Sequence, residues 1–186
     1  MINADIRQFD LATLGDQLVV FGNLPYSFST EIVSVLLEHS VRIKRAILLL
    51  QREFVERLAA KPGGRDYGTL SIGCRLHADI RSGPIVSGDS FHPPTAVDSM
   101  LVELKFLGSP RFALQDPLAF RRVVKSAFMK RRKKIINSMK SSGFYTTALL
   151  EEAFRTSGID TNRRAETLDL EEFVRLYRLL CEERQG

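Results

Sequence analysis

The sequence predicts an α/β unit followed by a smaller all-α unit. Three observations predict it. Apolar, strand-like runs at 17–22, 45–51 and 98–107 are separated by helical patterns. "GSPRFALQDP" (108–117) then breaks the pattern with two prolines. Everything beyond it reads as helix. The boundaries are therefore a first domain at 1–108 and a helical one at 116–186.

The elements follow in order. "QLVVFG" (17–22) reads as a buried strand. "STEIVSVLLEHS" (29–40) opens on a Ser/Thr cap region with Glu31 behind it, and has apolar residues at helical spacing. "RAILLLQ" (45–51) is a continuous apolar run, as expected of a strand covered on both faces. "REFVERLAAK" (52–61) is helical and closed by Pro62-Gly63-Gly64. "LSIGCRLHA" (70–78) is ambiguous. "IRSGPIVSGDSF" (80–91) reads as a strand leading into a loop, and "DSMLVELKFL" (98–107) alternates as a strand does. Strands separated by helices imply a mostly parallel sheet. In the second domain, "PLAFRRVVKSAF" carries proline in its first turn. "TTALLEEAFRTSG" has a Thr cap region and a closing Gly158. "TLDLEEFVRLYRLLCEE" (167–183) starts at Thr167 or Asp169.

Composition excludes several classes. No apolar run approaches the roughly 20 residues of a membrane helix, and "MINADIRQFD" is not a signal peptide. Cys74 and Cys181 form neither a CxxC pair nor a disulfide framework, which points to a reducing cytoplasm. His39, His77 and His92 lack metal-ligand spacing, so no metal is expected. The net charge of +5 is local. Nine of the 27 Lys and Arg lie in 121–140, a stretch without an acid, leaving 18 against 22 acidic residues elsewhere. That is the footprint of a phosphate-rich partner.

The chemistry-bearing motif is Asn23-Leu24-Pro25-Tyr26, at the mouth of the first strand. Its bland reading is a turn, with Asn and Pro as turn formers. Its position, after an apolar strand and before a helix, is where open α/β sheets place ligands. The residue types suit the exocyclic amine of a base. The Asn23 side-chain oxygen and the Leu24 carbonyl offer two acceptors for the amine hydrogens, which frees the nitrogen lone pair to face a methyl donor. Pro25 fixes its own φ and biases Leu24 towards an extended conformation. Tyr26 offers a face for stacking, worth about 1–3 kcal/mol per base, and alignment of the reactants supplies roughly 7–11 kcal/mol of the barrier.

"GNLPY", "QREFVERLAAKPGGRDYGTLS", "FHPPTAVDS", "FRRVVKSAFMKRRKKIINSM" and "GIDTNRRAETLDLEEF", in this order, resemble the KsgA-type ribosomal RNA adenine dimethyltransferases. Erm-type resistance methyltransferases share the first block, but the "RAETLDLEEF" ending and the helical tail favour the KsgA type. The resemblance implies a partial Rossmann-like class I methyltransferase sheet with a small all-α C-terminal domain. It implies S-adenosylmethionine as methyl donor and adenines of small-subunit ribosomal RNA, or of the pre-ribosomal small subunit, as substrate. By the same resemblance Asn23, Leu24, Pro25 and Tyr26 orient the target amine. Phe91 packs against the target adenine, where its bland reading is a loop aromatic plugging the core. Asp5 in "NADIRQF" and Asn23 meet the cofactor, Asp5 accepting from its adenine amine. Read alone, Asp5 is a helix cap or an exposed acid. The family implies a monomer.

The sequence departs from the family twice. Thr95 and Ala96 stand where the Phe-x-Pro block is usually richer in proline and followed by a basic residue. No Gly-rich cofactor loop and no following ribose-binding acid precede Asn23. The expectation is an N-terminally truncated chain without the first strands of the sheet, weakly active or inactive, with most of the cofactor pocket missing. The "LVVFG" strand would then be an exposed, aggregation-prone edge.

"KRRKKIINSMK" reads either as a solvated surface helix or as an RNA contact. Five consecutive basic residues, Lys130, Arg131, Arg132, Lys133 and Lys134, repel one another unless neutralised, and the resemblance makes them an RNA-contact surface. Neutralising about four phosphates would give a log–log salt slope of roughly −3, with the RNA read through shape and backbone. Three functions compete: the methyltransferase, a non-catalytic ribosomal RNA-binding remnant, and a DNA-binding regulator. The N-terminal half gives the third no support.

Overall fold

Strands form where the apolar alternation lies, and helices where the caps lie. The computed structural model describes residues 2–182; Glu183, the end of the last expected helix, lies outside them. One compact unit holds the chain up to Ala59 together with Cys74–Arg111. A second holds Ala60–Gly73 and the described residues from Phe112 onward.

The first unit contains β1 (Leu18–Asn23), α1 (Ser29–Glu38), β2 (Ile43–Gln51), α2 (Arg52–Ala59), β3 (Ala78–Val86) and β4 (Ser99–Phe106). The ambiguous 70–78 stretch becomes α3 (Thr69–His77), which is shared between the units. The sheet order is β1-β2-β4-β3. Among the paired neighbours only β1–β2 is a parallel pair; β4 runs antiparallel to both β2 and β3. This corrects the expectation of a mostly parallel sheet. The 87–98 connection contains only a three-residue helical turn, too short to carry a parallel crossover, so β3 and β4 pair antiparallel. Val33, Leu36, Ala46, Leu48, Leu50, Val55, Leu58, Val102 and Leu104 form the core of this unit.

β1 departs from the reading of "QLVVFG" as a buried strand and agrees with the expectation of an exposed edge. It pairs with β2 alone among the described strands, and Phe21 is 69% exposed. It is an edge strand with alternate residues outward, not a buried one.

In the second unit Asp116 caps α4 (Pro117–Phe128), accepting from the N–H groups of Leu118 and Ala119, with Pro117 as first helical residue. Thr146 caps α6 (Thr147–Ser157), and Gly158 ends it in the left-handed region. Asp169, rather than Thr167, caps α7 (Leu170–Tyr177) in a reciprocal box with Glu172. A short α5 (Ile135–Lys140) precedes α6, and a π-helical turn (Arg178–Glu182) follows α7. Phe120, Val123, Met139, Leu150, Phe154, Phe173 and Leu176 are buried together in this unit. The buried Tyr177 hydroxyl accepts from the Asp116 N–H at 2.8 Å.

Candidate active site

β1, β2 and β3 all run in one sense, and β4 in the other. The C-terminal ends of the first three and the start of β4 therefore lie at one end of the sheet. The pairs Asn23↔Leu49, Gln51↔Ser99 and Val86↔Ser99 fix that alignment. The Asn23–Tyr26 segment leaves this end after β1, and the loop bearing Phe91 leaves it after β3.

At the mouth of β1, the Leu24 N–H still donates to the Leu49 carbonyl at 3.2 Å, holding the segment to β2 for one residue beyond the strand. A Cβ on Gly22 would come within 2.9 Å of Leu24 Cδ2, so glycine lets the leucine side chain fold back. Pro25 is extended at φ −61° and ψ 130°, and its carbonyl accepts from Phe28 N–H at 3.1 Å. Asn23 is exposed. Among the described residues its carboxamide and the Leu24 carbonyl have no hydrogen-bond partner. Two acceptors at this sheet end are thus without a partner among the described residues.

The Tyr26 hydroxyl shares a 2.8 Å hydrogen bond with Ser99 Oγ, and Ser99 is buried. The ring is tied through its hydroxyl to the first residue of β4. Sequence reasoning did not find Ser99 as a site residue; its one signal was its place in the "FHPPTAVDS" block.

Phe91 is half-buried at the end of a short helical turn (Gly88–Ser90). The Gly88 N–H donates to Asp98 Oδ1 at 3.2 Å, and the Gly88 carbonyl accepts from Thr95 N–H at 3.0 Å. A Cβ on Gly88 would lie 2.2 Å from the Thr95 carbonyl oxygen, so the loop closes only over glycine. Thr95, a departure from the family pattern, closes this loop.

Asp5 is not a free acceptor. Arg7 Nε donates to both its oxygens at 3.0 Å, and the Arg7 backbone N–H adds another bond at 3.0 Å. These bonds hold the carboxyl at about 2, well below its ordinary range. The Arg7 guanidinium also lies 4.0 Å from the Phe28 ring centroid and 3.9 Å from Glu31. An adenine amine needs a vacant acceptor, and here both Asp5 oxygens are taken. Arg7 thus holds the oxygens that the resemblance assigns to the cofactor's adenine amine, while the Asn23 carboxamide makes no hydrogen bond among the described residues.

Of the "KRRKKIINSMK" stretch, Lys130–Lys134 form a turn between α4 and α5, and Ile135–Lys140 are helical as α5. Lys130–Lys134 are all exposed. Arg131 nevertheless turns inward: its guanidinium donates to the Arg65 and Tyr67 carbonyls at 2.6 and 2.8 Å and lies 5.9 Å from the Phe128 ring. Lys134 Nζ donates to Asn162 Oδ1 at 2.6 Å. Arg132 and Lys133 project from the turn. Among the described residues no His, Cys, Asp or Glu group is placed to hold a metal ion, and no helix is long and apolar enough to cross a membrane.

The fold is that of class I methyltransferases. A dimethyladenosine transferase from Plasmodium falciparum superposes with a TM-score of 0.70 at 23% identity, over 85% of this chain and 64% of that one. The 23S rRNA methyltransferase ErmE superposes with a TM-score of 0.66 at 22% identity, over 96% of this chain and 70% of that one. The family model for ribosomal RNA adenine dimethylase matches residues 1–182, and the chain belongs to that family. Ribosomal RNA small subunit methyltransferase A of Geobacter metallireducens is 40% identical over 97% of this chain and 68% of its own length. Its counterpart in Myxococcus xanthus is 42% identical over 96% and 63%. The chain thus spans about two thirds of the length of these curated relatives.

Proposed function

We propose that the chain serves S-adenosylmethionine-dependent dimethylation of adenine amines in small-subunit ribosomal RNA, in the cytoplasm. Residues 1–108 would cradle the target base, and 116–186 would hold the RNA. The observation that carries this reading is the pair of unpartnered acceptors, Asn23 Oδ1 and the Leu24 carbonyl, followed in the chain by a tyrosine ring tied to the start of β4. An adenine amine donating to both acceptors would point its nitrogen lone pair away from them. Tyr26 would stack on the base, and the Phe91 loop leaves the same sheet end to meet it. The cofactor, when bound, supplies an electrophilic methyl group. The chain's own part is to hold and orient the base.

A second reading is a ribosomal RNA-binding remnant without catalysis. The observation that favours it is Arg7, which occupies the Asp5 carboxylate.

Two calorimetric titrations of the purified chain separate the readings, one with S-adenosylmethionine and one with a small-subunit ribosomal RNA fragment. Saturation by both, with methyl transfer that falls about 10²-fold in Asn23→Ala, supports the enzyme. Saturation by RNA alone supports the remnant. Binding of neither overturns both readings.

A further inference from the structure

The exposed face of α4 is unlike an ordinary solvated helix face. Leu118, Arg121, Arg122, Lys125 and Met129 fall at helical spacing on one exposed stripe. The opposite face (Phe120, Val123, Val124, Ala127) is core. No acid occurs from Pro117 to Leu150, so neither α4 nor α5 carries a carboxylate. Arg122 instead meets an aromatic ring. Its guanidinium lies 5.7 Å from the centroid of Phe144, which is 60% exposed.

The turn between α5 and α6 is built to present that ring. Gly143 takes φ +72°, and the Ser142 hydroxyl accepts from the Phe144 N–H at 3.3 Å. Tyr145 meets Phe144 edge-on at 6.5 Å and anchors the turn. Burial pushes the Tyr145 hydroxyl up to about 12, so it stays neutral. Lys140, nearby in the chain, is paired with Glu151 at 2.9 Å and is not part of the stripe's charge.

We propose that Phe144 and Arg122 form a stacking platform for one unpaired nucleotide of the RNA, with Lys125 on the adjoining phosphate. This rests on the reading that RNA is the partner. An exposed ring beside a guanidinium on a basic helix face matches a splayed base with its backbone charge. An acidic peptide would use the cations and leave the ring idle. Duplex RNA keeps its bases stacked and inaccessible. The platform is separate from the Lys130–Lys134 turn and reads strandedness where the turn reads charge.

The test is fluorescence anisotropy of the 186-residue chain with a labelled single-stranded oligoribonucleotide and with a fully paired hairpin, across a salt series. Phe144→Ala should weaken single-strand binding by about 5- to 150-fold, the range spanned by one base–aromatic stack, and leave the salt slope unchanged. Hairpin affinity should stay as in wild type. Phe144→Leu, which keeps apolar bulk without a π face, should lose as much, and Phe144→Tyr should restore binding. Arg122→Ala and Lys125→Ala should each reduce the steepness of the single-strand salt slope by about 0.7. Wild-type single-strand affinity in Phe144→Leu, or equal losses on strand and hairpin, would overturn the platform alone. If wild type binds neither RNA, the RNA reading falls and the platform with it.

Discussion

Tyr26 and Ser99 share one hydrogen bond across 73 positions of sequence, and each end can be removed by a near-isosteric change. Tyr26→Phe and Ser99→Ala should each cost about 1 kcal/mol in urea unfolding. The double variant should cost about as much as either single one, because both remove the same bond. In base binding, both should loosen the ring without deleting it; additive losses would show that the two residues act separately. Asp5 gives a second residue-scale test. Its folded pKa lies below its ordinary value, so the clasp with Arg7 is complete above about 4 and is lost as pH falls through about 2. Carboxyl carbon shifts should titrate near 2 in wild type and return to the ordinary range in Arg7→Ala. An unchanged midpoint would mean that Arg7 does not hold the carboxylate in solution. The target-base motif was legible in the sequence because its chemistry is local: an amide, a carbonyl aimed by proline, and a ring. Ser99 and Arg7 were not, since a hydroxyl at a strand start and an arginine in a loop acquire meaning only once a partner is brought to them.

Among the elements, capped helices were the most readable. Pro117 behind Asp116, Thr146, Gly158 and Asp169 each carry a local signal, and each lies at a helix end. Asp169→Ala removes one half of a reciprocal cap whose other half, Glu172, is also held by Arg163. It should destabilise the chain by about 1 kcal/mol and lower Tm by about 2–4 °C in calorimetry. No change in Tm would mean that the Arg163–Glu172 pair alone sets the start of α7. α3 was unreadable because Ser71, Ile72, Cys74 and Leu76 are all buried, giving it the apolar density of a strand. The basic stretch read as a helix is helical only from Ile135, for another reason. Consecutive like charges disfavour a continuous helix, and the inward bonds of Arg131 to Arg65 and Tyr67 depend on a segment more than 60 positions away. Strand sense was recoverable in principle: a connection without helical pattern between 86 and 99 cannot make a parallel crossover.

At the scale of the whole molecule, charge and sheet edge dominate. Positive charge gathers in 121–140 while the remaining sequence is mildly acidic, so RNA affinity should fall steeply with salt. With Arg131 and Lys134 already engaged, Arg132→Ala with Lys133→Ala should flatten the slope more than Arg131→Ala does. Phe21 projects from a strand edge that no described strand covers. In sedimentation velocity, Phe21→Lys should abolish any concentration-dependent association of the wild-type chain; persistence of that association would place it on another surface. The one-sided pairing of β1 also sets a hierarchy of opening. Amide hydrogens of β4, flanked by strands on both sides, should exchange with deuterium only at the rate of global unfolding. Those of β1 should exchange through a smaller, local release. The acceptors that hold the base would then ride on an edge strand of the sheet, and a partner seated there would be read first as slowed exchange from Leu18 to Leu24.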